Sequence, residues 1–193
     1  MKNILRPALV LLIALTLLTG IAYPLAVTGL AQTLFPVQAH GSLILRDGKP
    51  VGSTLIGQSF TNPAHFWGRP SATSPMPNNA TSSGGSNLGP MNPALTDAVK
   101  ARVAALHAVD PGNTMAIPVD LVTASASGLD PHISLAAAQY QIRRVAVARK
   151  LSADAVRALV DQSTYRPVLG ILGAPVVNVL QLNLALDALK PPA

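Results

Sequence analysis

The chain opens on an unbroken apolar run, RPALVLLIALTLLTGIAYPLAVTGL (residues 6–30), and no Lys, Arg, Asp or Glu stands between Arg6 and Arg46. A helix of about 20 residues, rising about 1.5 Å per residue, crosses about 30 Å of hydrocarbon, so this run predicts a transmembrane helix. Lys2 and Arg6 precede it, and the next cation is Arg46. The bias of cations toward the inner side therefore predicts a cytoplasmic N-terminus at 1–6, a transmembrane helix at 7–31 and an extracytoplasmic domain at 36–193. A cleaved signal peptide is the competing reading, with small residues at Gly20 and Ala22. Its apolar core would normally stop after about 7–15 residues, whereas here Leu25, Val27 and Leu30 carry the run further. Within the span, Pro24 cannot donate to the Gly20 carbonyl, which predicts a kink or a loosened turn. Thr16 with Gly20, and Ala22 with Ala26, have the small-xxx-small spacing that lets a second helix approach, although lone anchors also carry such residues.

Beyond the run the periodicity changes. GSLILRDGKPVGSTLIG (41–57) reads as a β-hairpin around Asp47-Gly48. Residues 58–92 are loop-rich. Asn92 then caps a helix with Pro93 at its first position, a buried stripe of Leu95, Val99, Val103 and Leu106, and an end at Asp110-Pro111-Gly112. AIPVDLVTAS (116–125) suggests a short strand and a turn. Ser134 starts a second helix whose Arg143, Arg144, Arg149 and Lys150 fall near its C-terminal end, where they complement the macrodipole and predict a solvated terminus. Ser152 caps a third helix reaching about Gln162. In PVVNVLQLNLALDAL the valines favour a strand at 176–179 and the leucines a helix from 180. The expected fold class is a single N-terminal transmembrane helix followed by an α+β extracytoplasmic domain.

Composition narrows the function. The net charge of +6 falls to +4 without Lys2 and Arg6, and the remaining basic residues are scattered. With 4% aromatics there is no interleaving of rings and cations, which argues against nucleic-acid binding. There is no cysteine, hence no disulfide, thiolate metal site or Cys nucleophile. His40, His65, His107 and His132 lack metal-ligand spacing, and the eight acidic residues, all Asp, form no cluster in sequence. No metal site is expected.

Nucleotide and hydrolase chemistry fare little better. GSTLIGQS (52–59) fits a phosphate loop except that Gln58 stands where the cationic lysine belongs, and it lies in a hairpin. SSGGSN (82–87), inside the uncharged stretch SATSPMPNNATSSGGSNLGP (71–90), has two glycines, which are common in turns. Ser125, Ser127, Asp130 and His132 crowd into one loop, so a membrane-anchored extracytoplasmic hydrolase using Ser127 and His132 is the alternative function. There is no Gly-x-Ser-x-Gly elbow, and Asp130-Pro131 with Ser134 suits a turn and a cap. No catalytic residue is expected.

Five long strings are familiar together: IGQSFTNPAHFWGRPSAT (56–73), SSGGSNLGPMNPAL (82–95), VTASASGLDPHIS (122–134), QIRRVAVAR (141–149) and PVVNVLQLNLALD (175–187). They resemble the C subunit of the Kdp-type potassium-transporting ATPase, and the resemblance runs nearly end to end. It implies a bacterial inner-membrane complex with a potassium-conducting, channel-like subunit, a P-type ATPase subunit that hydrolyses ATP, and a small fourth subunit. It implies a non-catalytic role here, that of a catalytic chaperone raising the ATP affinity of the hydrolysing subunit. ATP and potassium are thus implied through those partners, with no cofactor bound directly. Ser83, Gly84 and Gly85 match the family's Ser-Gly-Gly element, linked to a proposed ATP contact that the topology above makes indirect. A structureless loop longer than about 12–15 residues is usually functional or disordered. We expect residues 71–90 to be an ordered loop docked on the potassium-conducting subunit. Trp67 and Arg69 are its expected interface anchors, with Thr16, Gly20 and Pro24 the partner-facing residues of the span.

Overall fold

Pro24 has no amide hydrogen to give, and the first helix opens one turn ahead of it. In the computed structural model, which describes residues 2–167 and 170–189, α1 (Lys2–Leu17) passes into a π-helical turn (Leu18–Ala22) and then α2 (Tyr23–Leu34). Met1 of the expected N-terminal segment, and residues 168, 169 and 190–193 of the expected distal domain, lie outside the described residues. Tyr23 N–H reaches back five residues to the Leu18 carbonyl, which is the loosened turn that the proline predicts. The apolar stretch Ile4–Leu34 is 31 residues long and none of its most apolar window is buried. It is long enough to cross a bilayer. At Phe35 the backbone leaves the helix (φ −135°), and the short α3 (Pro36–Ala39) follows.

The chain divides into two compact units, 1–51 and 52–193. The expected hairpin, β1 (Leu43–Arg46) with β2 (Lys49–Ser53), begins in the first, and the last two residues of β2 fall in the second. Asp47 (φ 53°) and Gly48 (φ 74°) make its turn, the left-handed pair that matches strand twist.

The second unit holds α4 (Pro93–Val109), β3 (His132–Ser134), α5 (Leu135–Arg149), α6 (Ala153–Gln162), β4 (Thr164–Tyr165), β5 (Val176–Asn178) and α7 (Val179–Ala188). Its sheet is antiparallel with order β3-β5-β4, pairing Ile133 with Val177 and Thr164 with Val177. Asn92, Ser134, Ser152 and Asn178 each cap the helix that follows by accepting a backbone N–H. Because Asn178 both ends β5 and caps α7, the last helix begins at Val179, one residue earlier than the valine-to-leucine switch suggests. The core joins Ile133, Val145, Val156, Val160, Val177, Leu182 and Leu186 with Phe66 from the long loop. Each such burial contributes about 1.5–3 kcal/mol. In α4 only Leu106 of the expected stripe is fully buried, with Val99 and Val103 packed at the margin.

The strand expected at 116–125 is absent. That segment turns through a short 3-10 helix, Val119–Leu121, and the strand lies at His132–Ser134 instead. Asp120 explains both: its Oδ2 accepts Ser134 N–H at 2.7 Å and its Oδ1 accepts the Ser134 hydroxyl at 3.1 Å. Asp130 Oδ1 likewise takes His132 N–H at 3.0 Å. Two carboxylates thus occupy amides of edge strand β3, which leaves that edge a poor template for another strand.

Candidate functional site

The uncharged stretch 71–90 is ordered by hydroxyls. Ser71 Oγ donates to the Gly128 carbonyl at 2.6 Å and accepts Asn78 N–H at 2.9 Å. Thr73 Oγ1 donates to the Met76 carbonyl at 2.7 Å and accepts Asn79 N–H at 3.0 Å. Asn79 then accepts from both the amide and the hydroxyl of Thr81. Short polar side chains replace the ladder that regular structure would supply, and backbone polar groups are satisfied without it.

This loop is tied to 122–130. Ser83 Oγ donates to the Ser127 carbonyl at 3.0 Å, and Gly84 N–H donates to the same oxygen at 2.9 Å. A Cβ on Gly85 would sit 2.9 Å from the Ala126 carbonyl oxygen, so the glycine permits the close approach of two backbones. Gly128 (φ 69°) needs its freedom twice over, since a Cβ there would also stand 2.7 Å from the Gly84 carbonyl. The third strand of chain enters at Gly57, whose N–H donates to the Leu129 carbonyl at 2.8 Å.

Trp67 and Arg69 lie upstream, both partly buried. Arg69 donates to Asp130 Oδ2 at 3.1 Å and to the Ala124 carbonyl at 3.3 Å. Trp67 Nε1 donates to the Asn62 carbonyl at 3.0 Å. A cavity of about 320 Å³ opens beside them, walled by Phe60, Trp67, Arg69, Arg102, Leu106 and Leu121. Arg102 donates to the Val122 carbonyl at 2.8 Å, and burial lowers its pKa.

The cationic end of α5 differs from the solvated terminus expected. Arg144 is buried, donates to the carbonyls of Pro63 and His65 and to Gln141 Oε1, and stacks over the Trp67 ring at 4.7 Å. Burial pushes its guanidinium down to about 10, against the opposing pull of Asp110 and Tyr140. Arg149 donates to the Ala64 carbonyl at 2.7 Å and to Asp187 at 2.5 Å, and Arg143 pairs with Asp110. Arg144 and Arg149 hold residues 63–67 in place because that loop, from far earlier in the chain, covers the helix end, whereas Arg143 and Lys150 are exposed, as expected. Burial opposes ionisation of Asp187, but Arg149 and His65 outweigh it and keep its carboxyl below the ordinary value.

Two residues that the motifs did not single out complete this clamp. Gln141 Oε1 accepts Trp67 N–H at 2.8 Å and its Nε2 donates to the Trp67 carbonyl at 3.1 Å. Asn183 does the same for Phe66. The available signal was a lone amide on an otherwise apolar face: Gln141 among Ala137, Ala138 and Val145, and Asn183 between Leu182 and Leu186.

The serines and His132 do not assemble into a hydrolase site. Ser127 Oγ accepts Leu129 N–H at 3.1 Å, and His132 Nδ1 lies 3.5 Å from Asp130, which already holds Arg69. No serine hydroxyl bonds to His132 among the described residues, nor do three His or Asp converge there as metal ligands. Thr16, Gly20 and Pro24 lie on the exposed apolar helix, in the other unit. What the second unit presents is a hydrogen-bonded polar loop, a cavity walled by aromatic and arginine side chains, and a buried clamp.

Comparison with known proteins agrees from end to end. The family model described as K+-transporting ATPase, c chain (KdpC) matches residues 5–188. A protein of Polaromonas naphthalenivorans (strain CJ2) named potassium-transporting ATPase KdpC subunit is 74% identical over 191 residues, 99% of this chain and 97% of that one. Proteins of the same name from Methylibium petroleiphilum and Variovorax paradoxus are 65% and 66% identical, covering 100% and 97% of their lengths and 99% and 97% of this chain. The chain belongs to the KdpC family, the c chain of the potassium-transporting ATPase.

Proposed function

We propose that this chain is a non-catalytic accessory subunit of a high-affinity, ATP-driven potassium uptake complex. One helix holds it in the bacterial cell membrane, N-terminus in the cytoplasm and residues 36–193 outside. Its relatives' name, subunit of a potassium-transporting ATPase, supports the assembly, and Lys2 and Arg6 ahead of the apolar run support the orientation. A channel-like subunit conducts potassium, a P-type subunit hydrolyses ATP, and a small subunit completes the set.

The effect on ATP affinity is indirect in this reading. The observation that carries it is the shared Ser127 carbonyl: Ser83 Oγ and Gly84 N–H are already engaged there, rather than free for phosphate. The Ser-Gly-Gly element keeps the recognition loops in register, and the docked unit favours the ATP-competent conformation of the complex. A tenfold gain in affinity needs about 1.4 kcal/mol of such coupling. Trp67 and Arg69, at the mouth of the cavity, are the anchors we assign to the potassium-conducting partner.

Calorimetry of the purified full chain against ATP, alongside the ATP half-saturation of the complex with and without the chain, tests this. The chain alone gives no heat at micromolar ATP, while its removal raises half-saturation about tenfold. Micromolar binding by the isolated chain overturns the indirect route.

A further inference from the structure

Among the described residues, the π-helical turn leaves the Thr19 carbonyl, at the centre of the span, without the backbone donor that a helix would bring from four or five residues on. Along a helix, the Thr19 carbonyl is reached by the amide four residues on, or five residues on in a π turn. Here the first belongs to Tyr23, which gives it to Leu18, and the second to Pro24, which has none. Thr19's own hydroxyl is turned away, donating to the Leu15 carbonyl at 2.7 Å. Thr19 is the midpoint of Ile4–Leu34, so its carbonyl lies about 22 Å from either end of the span by helical rise. Neither water nor a lipid headgroup supplies a donor at that depth, and a bare backbone group in hydrocarbon costs several kcal/mol. Beside it, Gly20 has nothing within 4 Å of where a Cβ would stand, so a second backbone can come close.

We propose that a hydroxyl or amide side chain on a transmembrane helix of another subunit of the complex donates a hydrogen bond to the Thr19 carbonyl, over the opening made by Gly20. This rests on the assembly proposed above, and it names the chemistry by which the span is recognised. A different subunit, rather than a second copy, is favoured because the chain's relatives are named as one subunit of a larger ATPase.

The test uses the full complex in mild detergent and follows how fast the tagged chain releases the other subunits. Pro24→Ala restores an amide and lets the helix close on itself, so the chain still inserts while its release becomes about tenfold faster, the loss of one interhelical hydrogen bond of about 1.4 kcal/mol. Gly20→Leu, which blocks the approach without mending the helix, accelerates release as well. Wild-type release from Pro24→Ala overturns the hydrogen bond, and co-isolation of two differently tagged copies from membranes lacking the other subunits overturns the choice of partner. If the wild-type chain retained no subunit at all, the assembly reading itself would fail.

Discussion

Asn183 closes a two-bond ring on the backbone of Phe66: its Oδ1 accepts the Phe66 N–H at 2.8 Å and its Nδ2 donates to the Phe66 carbonyl at 2.9 Å. The side chain imitates a neighbouring β-strand. Gln141 repeats the device on Trp67, so two helices supply one loop with the pairing that a sheet would otherwise give. Phe66 is fully buried in consequence, and Trp67 is fixed at the cavity wall.

Replacing Asn183 by Leu keeps the branched shape and the number of heavy atoms but leaves a buried amide and a buried carbonyl unpaired. We expect a loss on the order of 2–4 kcal/mol, read by thermal or denaturant unfolding. Trp67 is the chain's one tryptophan, so its fluorescence reports the loop directly. The Gln141→Leu variant should shift that emission as well, and an unchanged spectrum with unchanged stability in both variants would remove the clamp from the account.

Asp187 contributes to the acid limb of stability. Its folded pKa lies below the ordinary 3.8, because the hydrogen bonds and charges of Arg149 and His65 outweigh the opposing effect of burial. The unfolded chain therefore takes up that proton first as acid is added. The stabilisation this carboxylate contributes is complete above about 3.8 and disappears as pH falls through the lower, folded value. Asp187→Asn should be less stable than wild type at neutral pH, with the gap closing in strong acid. A constant gap across the titration would show that the pairing with Arg149 is not what links the loop to α7.

Gly84 and Gly85 separate two explanations of the Ser-Gly-Gly element. A Cβ at Gly84 meets nothing within 4 Å, whereas one at Gly85 collides with the Ala126 backbone. If the element works by close approach of two loops, Gly84→Ala leaves assembly and ATP half-saturation unchanged. Gly85→Ala weakens both. A cradle that folds around phosphate would be sensitive at either position. The measurement is ATP half-saturation of the complex carrying each variant, compared with the yield of intact complex.

What the sequence disclosed is local. Asn92, Ser134 and Ser152 are readable as caps because each bonds to an amide two or three residues on, and Pro24 marks the loosened turn because the missing donor is its own. The larger failures involve distant partners. Asp120 bends 119–121 by reaching across to Ser134, and nothing within AIPVDLVTAS announces that bond. The end of α5 reads as solvated because macrodipole reasoning sees only the helix, while Pro63 and His65, some eighty residues earlier, close over Arg144. The candidate site was half legible. Trp67, Arg69 and Ser83–Gly85 stood out by type or by resemblance, whereas Gln141 and Asn183 looked like ordinary members of their helices.

Arg69 poses the sharpest question about the proposed partner contact, because it has an internal role already. Its guanidinium joins Asp130 at 3.1 Å and the Ala124 carbonyl at 3.3 Å, so Arg69→Ala disturbs the 122–130 loop whether or not a partner is touched. Asp130→Asn distinguishes the cases, since it removes the ion pair and keeps the arginine. Should Arg69 reach the potassium-conducting subunit directly, Asp130→Asn retains the complex while Arg69→Ala and Trp67→Ala lose it, by at least tenfold in retained subunit for a residue of hot-spot strength, about 2 kcal/mol or more. Should it act only by positioning the loop, Asp130→Asn and Arg69→Ala fall together. Co-purification yield, measured beside the unfolding midpoint of each variant, tells the two apart, because a purely internal role moves yield and midpoint in step.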